Sequence, residues 1–144
     1  MHIAGRAVTT ADTAAIRSPW DGREVGRVPV GGPAEIDAAV GAALECLEGP
    51  ALPQHERAAI LDRAAGLVRE RREELARSIS DEAGKPISAA RVEADRAVST
   101  LEFSAVAART LAGSMVPLDA STAGAGMVGF TLRVPVGVVA AITP

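Results

Sequence analysis

Three polar residues occupy one face of a long predicted helix and could act on an anionic ligand. Glu93, Arg96 and Thr100 fall at i, i+3 and i+7, so they lie on the same side of the helix. A guanidinium group suits carboxylates and phosphates because its planar fork can donate two parallel hydrogen bonds. The same spacing is typical of a surface ion pair between Glu93 and Arg96. The residues alone leave both interpretations open.

The other side chains that could do chemistry are scattered along the sequence. Cys46 is the only cysteine, and a small buried or half-buried thiol is favoured over a nucleophile because no histidine is near in sequence. His2 and His55 show no metal-ligand spacing, which predicts no metal site. Lys85, the only lysine, follows a predicted helix end, where a charge that complements the helix dipole is favoured over catalysis.

A glycine-rich stretch, GAGMVG at 124–129, matches the G-x-G-x-x-G pattern of dinucleotide-binding turns. That pattern holds a pyrophosphate when it follows a strand and opens a helix. Here a loop-like segment precedes it and a strand-like segment follows it. The context therefore predicts a flexible glycine turn.

Composition excludes several classes of protein. The chain has 144 residues, 48% of them hydrophobic and 23% charged, with a net charge of −3, as expected of one globular domain. The densest basic run, RERRE at 69–73, is interrupted by two glutamates, which indicates a solvated helix face and no nucleic-acid partner. A single cysteine, the lack of a signal-peptide core and short apolar runs predict a cytoplasmic location without membrane contact.

Hydrophobic spacing predicts short strands within 1–30, then three helices. The first covers 34–47, the second begins at Pro53 and bends near 70–73, and the third runs from Pro86 to about Leu111.

The second and third helices each show an apolar face that we expect to be buried. On the second helix that face comprises Ile60, Leu61, Ala64, Leu67 and Val68. On the third it comprises Ala94, Ala97, Val98, Leu101, Ala105 and Ala108.

The last predicted element is a strand region from Met127 to Thr143. Its part at 134–142 is apolar on both faces, which is typical of a strand inside a parallel sheet. Such a strand needs neighbours on both sides, and none follows it.

Three stretches together resemble the N-terminal part of the NAD(P)-dependent aldehyde dehydrogenase superfamily. They are SPWDGREVGRVPVGGPAEIDAAVGAA, the segment from RAAILDR through EAGKP to the following glutamate, and RVPVGVVAAITP. The resemblance covers 16–144 and implies an incomplete α/β fold. Residues 1–144 would be the N-terminal part of a cofactor-binding domain, with 114–135 belonging to oligomerisation strands.

The resemblance also implies where the catalytic residues lie. The family's oxyanion asparagine, cofactor lysine, general-base glutamate and nucleophilic cysteine all align beyond residue 144, and the chain contains no asparagine. Lys85 and Cys46 do not align with them. The retained part of the NAD or NADP site would be the wall formed by Ile142, Thr143 and Pro144.

The implied function is oxidation of an aldehyde to an acid with hydride transfer to NAD(P), by a chain that is a fragment inactive alone. Relatives that act on phosphorylated or carboxylated aldehydes resemble this chain in placing an arginine at the position of Arg96, which favours a small anionic aldehyde. A homo-oligomer formed through the C-terminal strands is expected. The alternative is a non-enzymatic interaction module derived from an aldehyde dehydrogenase.

Overall fold

The computed structural model describes residues 1–143 as an α/β arrangement of four helices and three antiparallel strand pairs. The helices are α1 (Pro33–Glu48), α2 (Gln54–Glu70), α3 (Arg72–Ala83) and α4 (Ile87–Thr110). The strands are β1 (His2–Ile3), β2 (Arg6–Ala7), β3 (Thr13–Arg17), β4 (Glu24–Pro29), β5 (Met115–Val116) and β6 (Gly129–Phe130), paired β1–β2, β3–β4 and β5–β6. None of the helices in this part of the chain is long and apolar enough to cross a membrane.

The predicted interruption near 70–73 is confirmed, because α2 ends at Glu70 and α3 begins at Arg72. Both helices pack against α4, and the contacts are made largely by small side chains. The buried apolar residues of the three helices are Ala58, Ala65, Ala76, Ala90, Ala94, Val98 and Ala105. Methyl groups at these positions let neighbouring helix backbones approach closely, which accounts for a core with few aromatic residues.

The predicted buried face of α4 is confirmed at Ala94, Val98 and Ala105 and is wrong at Ala97, which is exposed. On α2 the prediction is wrong for Ile60 and Leu67, which are 45% and 58% exposed.

The error on α2 has a geometric cause. Ala58 and Ala65 are the buried positions of this helix. Ile60 and Leu67 each follow one of them by two residues, which is about 200° around a helix. The contact line with α4 therefore runs along the alanines, and Ile60 and Leu67 lie on the opposite side of the helix.

Helix α1 begins where the sequence predicts, with Pro33 in its first turn and the Glu35 carboxylate accepting a hydrogen bond from the Gly32 N–H at 2.8 Å. Its apolar stripe is exposed at Ile36, Val40, Leu44 and Leu47. The prediction of a buried or half-buried Cys46 is wrong, since this thiol is exposed. Among the described residues α1 packs mainly on β1, which is too short to cover the helix.

The β3–β4 hairpin docks on the corner between α3 and α4. Its turn is closed by a hydrogen bond from the Gly22 N–H to the Ser18 carbonyl oxygen at 2.9 Å. Pro19 lies against Gly84, which ends α3 in the left-handed conformation at φ 63°. An ion pair between Arg23 and Asp81 joins the hairpin to α3.

The C-terminal segment departs most from the sequence prediction. Within the predicted strand region only Gly129–Phe130 forms a strand, which pairs with β5, and 131–143 contains no strand. A strand is defined by hydrogen bonds to a neighbour, and no described segment offers a partner to 134–142. Val136 is accordingly 88% exposed.

The glycine-rich stretch lies between β5 and β6. Gly124 ends a 3₁₀ turn, Thr122–Gly124, and Gly126 has φ 78°. A turn followed by β6 is the arrangement that the sequence predicts, and no helix N-terminus follows the glycines to face a phosphate.

Candidate functional site

The exposed face of α4 carries the predicted anion-binding residue. Arg96 lines two shallow depressions that share this side chain. One has a volume of about 460 Å³ and is lined by Arg96, Ser99, Thr100, Phe103, Ser104 and Ala107. The other, of about 650 Å³, is lined by Glu93, Arg96, Ala97, Thr100 and Leu101. We call these residues together the Arg96 face.

The structure contradicts the surface pair expected between Glu93 and Arg96. The Glu93 carboxylate contacts the Lys85 ammonium group instead. Within residues 1–143 the Arg96 guanidinium makes no ion pair and no side-chain hydrogen bond. The Arg96 face therefore presents a positive charge whose donors are available to a ligand.

Hydroxyl groups beside Arg96 are held by the helix itself. The Thr100 hydroxyl donates to the Arg96 carbonyl oxygen at 2.9 Å, and the Ser104 hydroxyl donates to the Thr100 carbonyl oxygen at 2.8 Å. Their protons point toward the backbone, so each oxygen is left as a weak acceptor. Phe103, 75% exposed, adds an apolar surface next to them. Arg96 is thus a single cation on a surface that also carries an exposed aromatic ring.

Other arginines on or next to α4 are paired, in contrast to Arg96. Arg72 makes a bidentate contact with Asp95, including 2.8 Å from Nη2 to Oδ2, and Arg91 binds Glu73 through two hydrogen bonds of 2.9 and 3.0 Å. The hydrogen bond from Arg72 lowers the pKa of Asp95, and the hydrogen bond from Arg91 lowers the pKa of Glu73. These contacts join α3 to α4 and leave neither guanidinium for a ligand.

The residues expected to border a cofactor do not form a pocket by themselves. Ile142 is 97% exposed and Thr143 is exposed, whereas Pro144 lies outside the described residues. Among the described residues no group of three or more histidine, cysteine or carboxylate side chains could hold a metal ion. His55 and Cys46 are both exposed and lie far from the Arg96 face in sequence.

Sequence reasoning missed the contact between Lys85 and Glu93. Lys85 precedes α4, and eight residues separate it from Glu93. Helical spacing rules apply only within one helix, so they do not predict a contact made across a helix start. The signal available in the sequence was the single lysine placed between a helix-ending glycine and a helix-starting proline.

Comparison with known proteins places this arrangement in a family. The model of the aldehyde dehydrogenase family matches residues 7–144. The chain belongs to the aldehyde dehydrogenase family.

Three curated relatives illustrate the match. An aldehyde-dehydrogenase-like protein of Sinorhizobium fredii is 43% identical over 131 residues, which are 90% of this chain and 26% of the relative. The 3-sulfolactaldehyde dehydrogenase of Priestia megaterium is 34% identical over 144 residues, which are 100% of this chain and 30% of the relative. A malonate-semialdehyde dehydrogenase of Geobacillus thermodenitrificans is 37% identical over 139 residues, which are 96% and 28% of the two chains.

A solved structure agrees with the sequence matches. The NAD-dependent aldehyde dehydrogenase of Sinorhizobium meliloti superposes with a TM-score of 0.76 at 32% identity, covering 79% of this chain and 24% of that protein. The chain thus spans 26% to 30% of the length of the curated relatives described above. The α/β fold described here corresponds to about a quarter of such an enzyme.

Proposed function

We propose that residues 1–144 form the N-terminal part of an NAD(P)-dependent aldehyde dehydrogenase whose substrate is a small anionic aldehyde. Family membership supports the reaction, which oxidises an aldehyde to an acid. The proposed substrate class rests on one observation. Arg96 has no acidic partner among residues 1–143, because Glu93 is paired with Lys85.

Two of the relatives described above support an anionic substrate. A 3-sulfolactaldehyde dehydrogenase and a malonate-semialdehyde dehydrogenase are named for substrates that carry a sulfonate or a carboxylate in addition to the aldehyde group. An arginine fork suits both groups, since each presents two or more oxygens in a plane or tripod. In the proposed complex the Arg96 guanidinium binds the anionic end and orients the aldehyde toward catalytic residues supplied by the rest of the enzyme.

The cofactor is proposed to be NAD or NADP, which accepts the hydride in this reaction. The S. meliloti relative is described as NAD-dependent. The described residues of this chain do not enclose a dinucleotide, because GAGMVG opens no helix and Ile142 and Thr143 are exposed. Ile142, Thr143 and Pro144 are proposed to form one wall of the nucleotide site in the complete enzyme.

The 144-residue polypeptide is proposed to be inactive by itself, because the family resemblance places the nucleophile, the base and the oxyanion amide beyond residue 144, and the chain contains no asparagine. An assay for NAD(P)H formation with several aldehydes on the purified polypeptide tests this. Aldehyde-dependent turnover that is lost in Cys46→Ser would contradict it.

The substrate proposal is tested in a complete dehydrogenase that carries these residues. Arg96→Leu should lower kcat/KM for an anionic aldehyde roughly 10- to 150-fold, the range of a charge-assisted contact, and leave a neutral aldehyde of equal size unaffected. Arg63→Leu is the matched control, because Arg63 is exposed on α2 and does not line the Arg96 face. Equal rates, or an equal fall on both substrates, would overturn the role of Arg96.

A homo-oligomer is proposed to form through 114–135 and the apolar residues after it, which the sequence predicts as a strand. Support comes from apolar side chains that are exposed along this segment and that have no cover within residues 1–143. They are Met115, Met127, Val128, Phe130, Leu132, Val134, Val136 and Val139. Unpaired apolar segments of this kind tend to form strands with another chain. Light scattering after size exclusion tests this, and a stable monomer at micromolar concentrations would contradict it. Association without any activity in a complete chain would instead support the interaction module.

A further inference from the structure

The backbone of Lys85 is held in place by its two neighbours and by one hydrogen bond. Gly84 adopts a left-handed conformation at φ 63° just before it, and Pro86 caps the start of α4 just after it. The Ser80 hydroxyl donates to the Lys85 carbonyl oxygen at 2.7 Å. The position from which the lysine side chain leaves the backbone is therefore fixed by the corner between α3 and α4.

From this corner the Lys85 side chain reaches the Glu93 carboxylate on α4. Glu93 is the only acidic residue three or four positions from Arg96, since the other such positions are Val92, Ser99 and Thr100. Helical geometry would otherwise favour contact between Glu93 and Arg96. Asp95, the neighbouring carboxylate, is occupied by Arg72.

We propose that Lys85 is a positioning residue for anion binding, holding Glu93 so that Arg96 stays available to the substrate. This inference rests on the proposed function, because it concerns the same site. Lys85 acts in two ways: it removes the competitor that would occupy the guanidinium, and it neutralises a carboxylate that would repel an incoming anion.

The predicted consequence is a change in substrate binding without a change in chemistry. Lys85→Met should raise KM for an anionic aldehyde roughly two- to fivefold, the range in which exposed ion pairs contribute. The kcat value should stay the same, because an interaction made equally in ground and transition states alters KM alone. A neutral aldehyde of equal size should show no change in either constant.

The test is a set of variants in the complete dehydrogenase. In Lys85→Met the added change Glu93→Gln should restore KM for the anionic aldehyde, because a neutral amide neither competes for Arg96 strongly nor repels an anion. Lys85→Arg should behave as the parent enzyme, since it keeps the positive charge. A purely structural role for Lys85 would affect both aldehydes, and Glu93→Gln would not reverse that effect.

The outcomes separate this inference from the proposed function. If Arg96→Leu is selective for the anionic aldehyde and Lys85→Met is not, the role of Lys85 is overturned and the role of Arg96 stands. If Lys85→Met raises KM for both aldehydes alike, or Glu93→Gln fails to restore it, the role of Lys85 is likewise overturned. If Arg96→Leu shows no selectivity, both proposals fail.

Discussion

The two faces of α4 differ in what surrounds them. One face packs on α2 and α3 through small apolar residues, and ion pairs such as Arg72–Asp95 and Arg91–Glu73 border the contact. The opposite face carries Arg96 and Phe103, which meet no other element among residues 1–143. The packed face accounts for the helix being fixed in place. The Arg96 face has an unpaired charge and an exposed ring, which contribute little to the stability of the fold and are available to bind a ligand.

The largest difference in stability between the two faces is expected when an alanine is replaced with a larger side chain. Ala94 is 2% exposed and packs with Ala76 and Ala90, so Ala94→Leu should destabilise the chain by about 1–3 kcal/mol through overpacking. Ala97→Leu, three residues along the same helix and exposed, should change stability by less than about 0.5 kcal/mol. Urea unfolding followed by circular dichroism measures both. Equal losses would show that the two faces are not distinct.

The corner that presents Lys85 should be nearly as sensitive. Gly84→Ala should destabilise by about 1–2 kcal/mol, because alanine at φ 63° is strained and the added methyl would meet the Pro19 Cγ at 2.9 Å.

Gly66→Ala is the matched control for this change. A methyl group at Gly66 would have no neighbour within 4 Å, and this helical position should gain about 0.5–1 kcal/mol. Thermal unfolding of both variants checks the opposite signs. A stabilised Gly84→Ala would contradict the corner geometry.

A smaller effect is expected from the ion pairs of the packed face as the pH falls. Hydrogen bonds from Arg72 and Arg91 lower the pKa of Asp95 and the pKa of Glu73 in the folded chain. The ion pairs therefore stabilise the folded chain fully at pH values above the ordinary pKa of a carboxylate. This stabilisation is lost as the pH falls through the lowered pKa values of Asp95 and Glu73, below about pH 4.

Removing one of these ion pairs should change how strongly the stability of the chain depends on pH. Asp95→Asn should reduce the fall in stability between about pH 5 and pH 2, since one of the responsible carboxylates is gone. Urea unfolding of both proteins at a series of pH values tests this. An unchanged slope would show that the Arg72–Asp95 pair contributes nothing measurable.

Local sequence patterns predict the helices, the break before Arg72 and most of the buried face of α4. They fail where burial or strand formation depends on which segments of the chain pack against each other. Cys46 is exposed because little packs on α1, and 134–142 lacks a strand because no described segment pairs with it. The Arg96 site was predicted only as one of two alternatives. The pairing of Glu93 with Lys85, set by the corner at Gly84, contradicts the surface-pair alternative.

Binding of the anionic end of the substrate by Arg96 can be observed in a crystal structure of the complete dehydrogenase with a small sulfonate such as sulfoacetate. We expect a sulfonate oxygen within about 3 Å of the Arg96 guanidinium nitrogens, with Lys85 still in contact with Glu93. A sulfonate bound elsewhere, with Arg96 paired to a carboxylate of the enzyme, would contradict it.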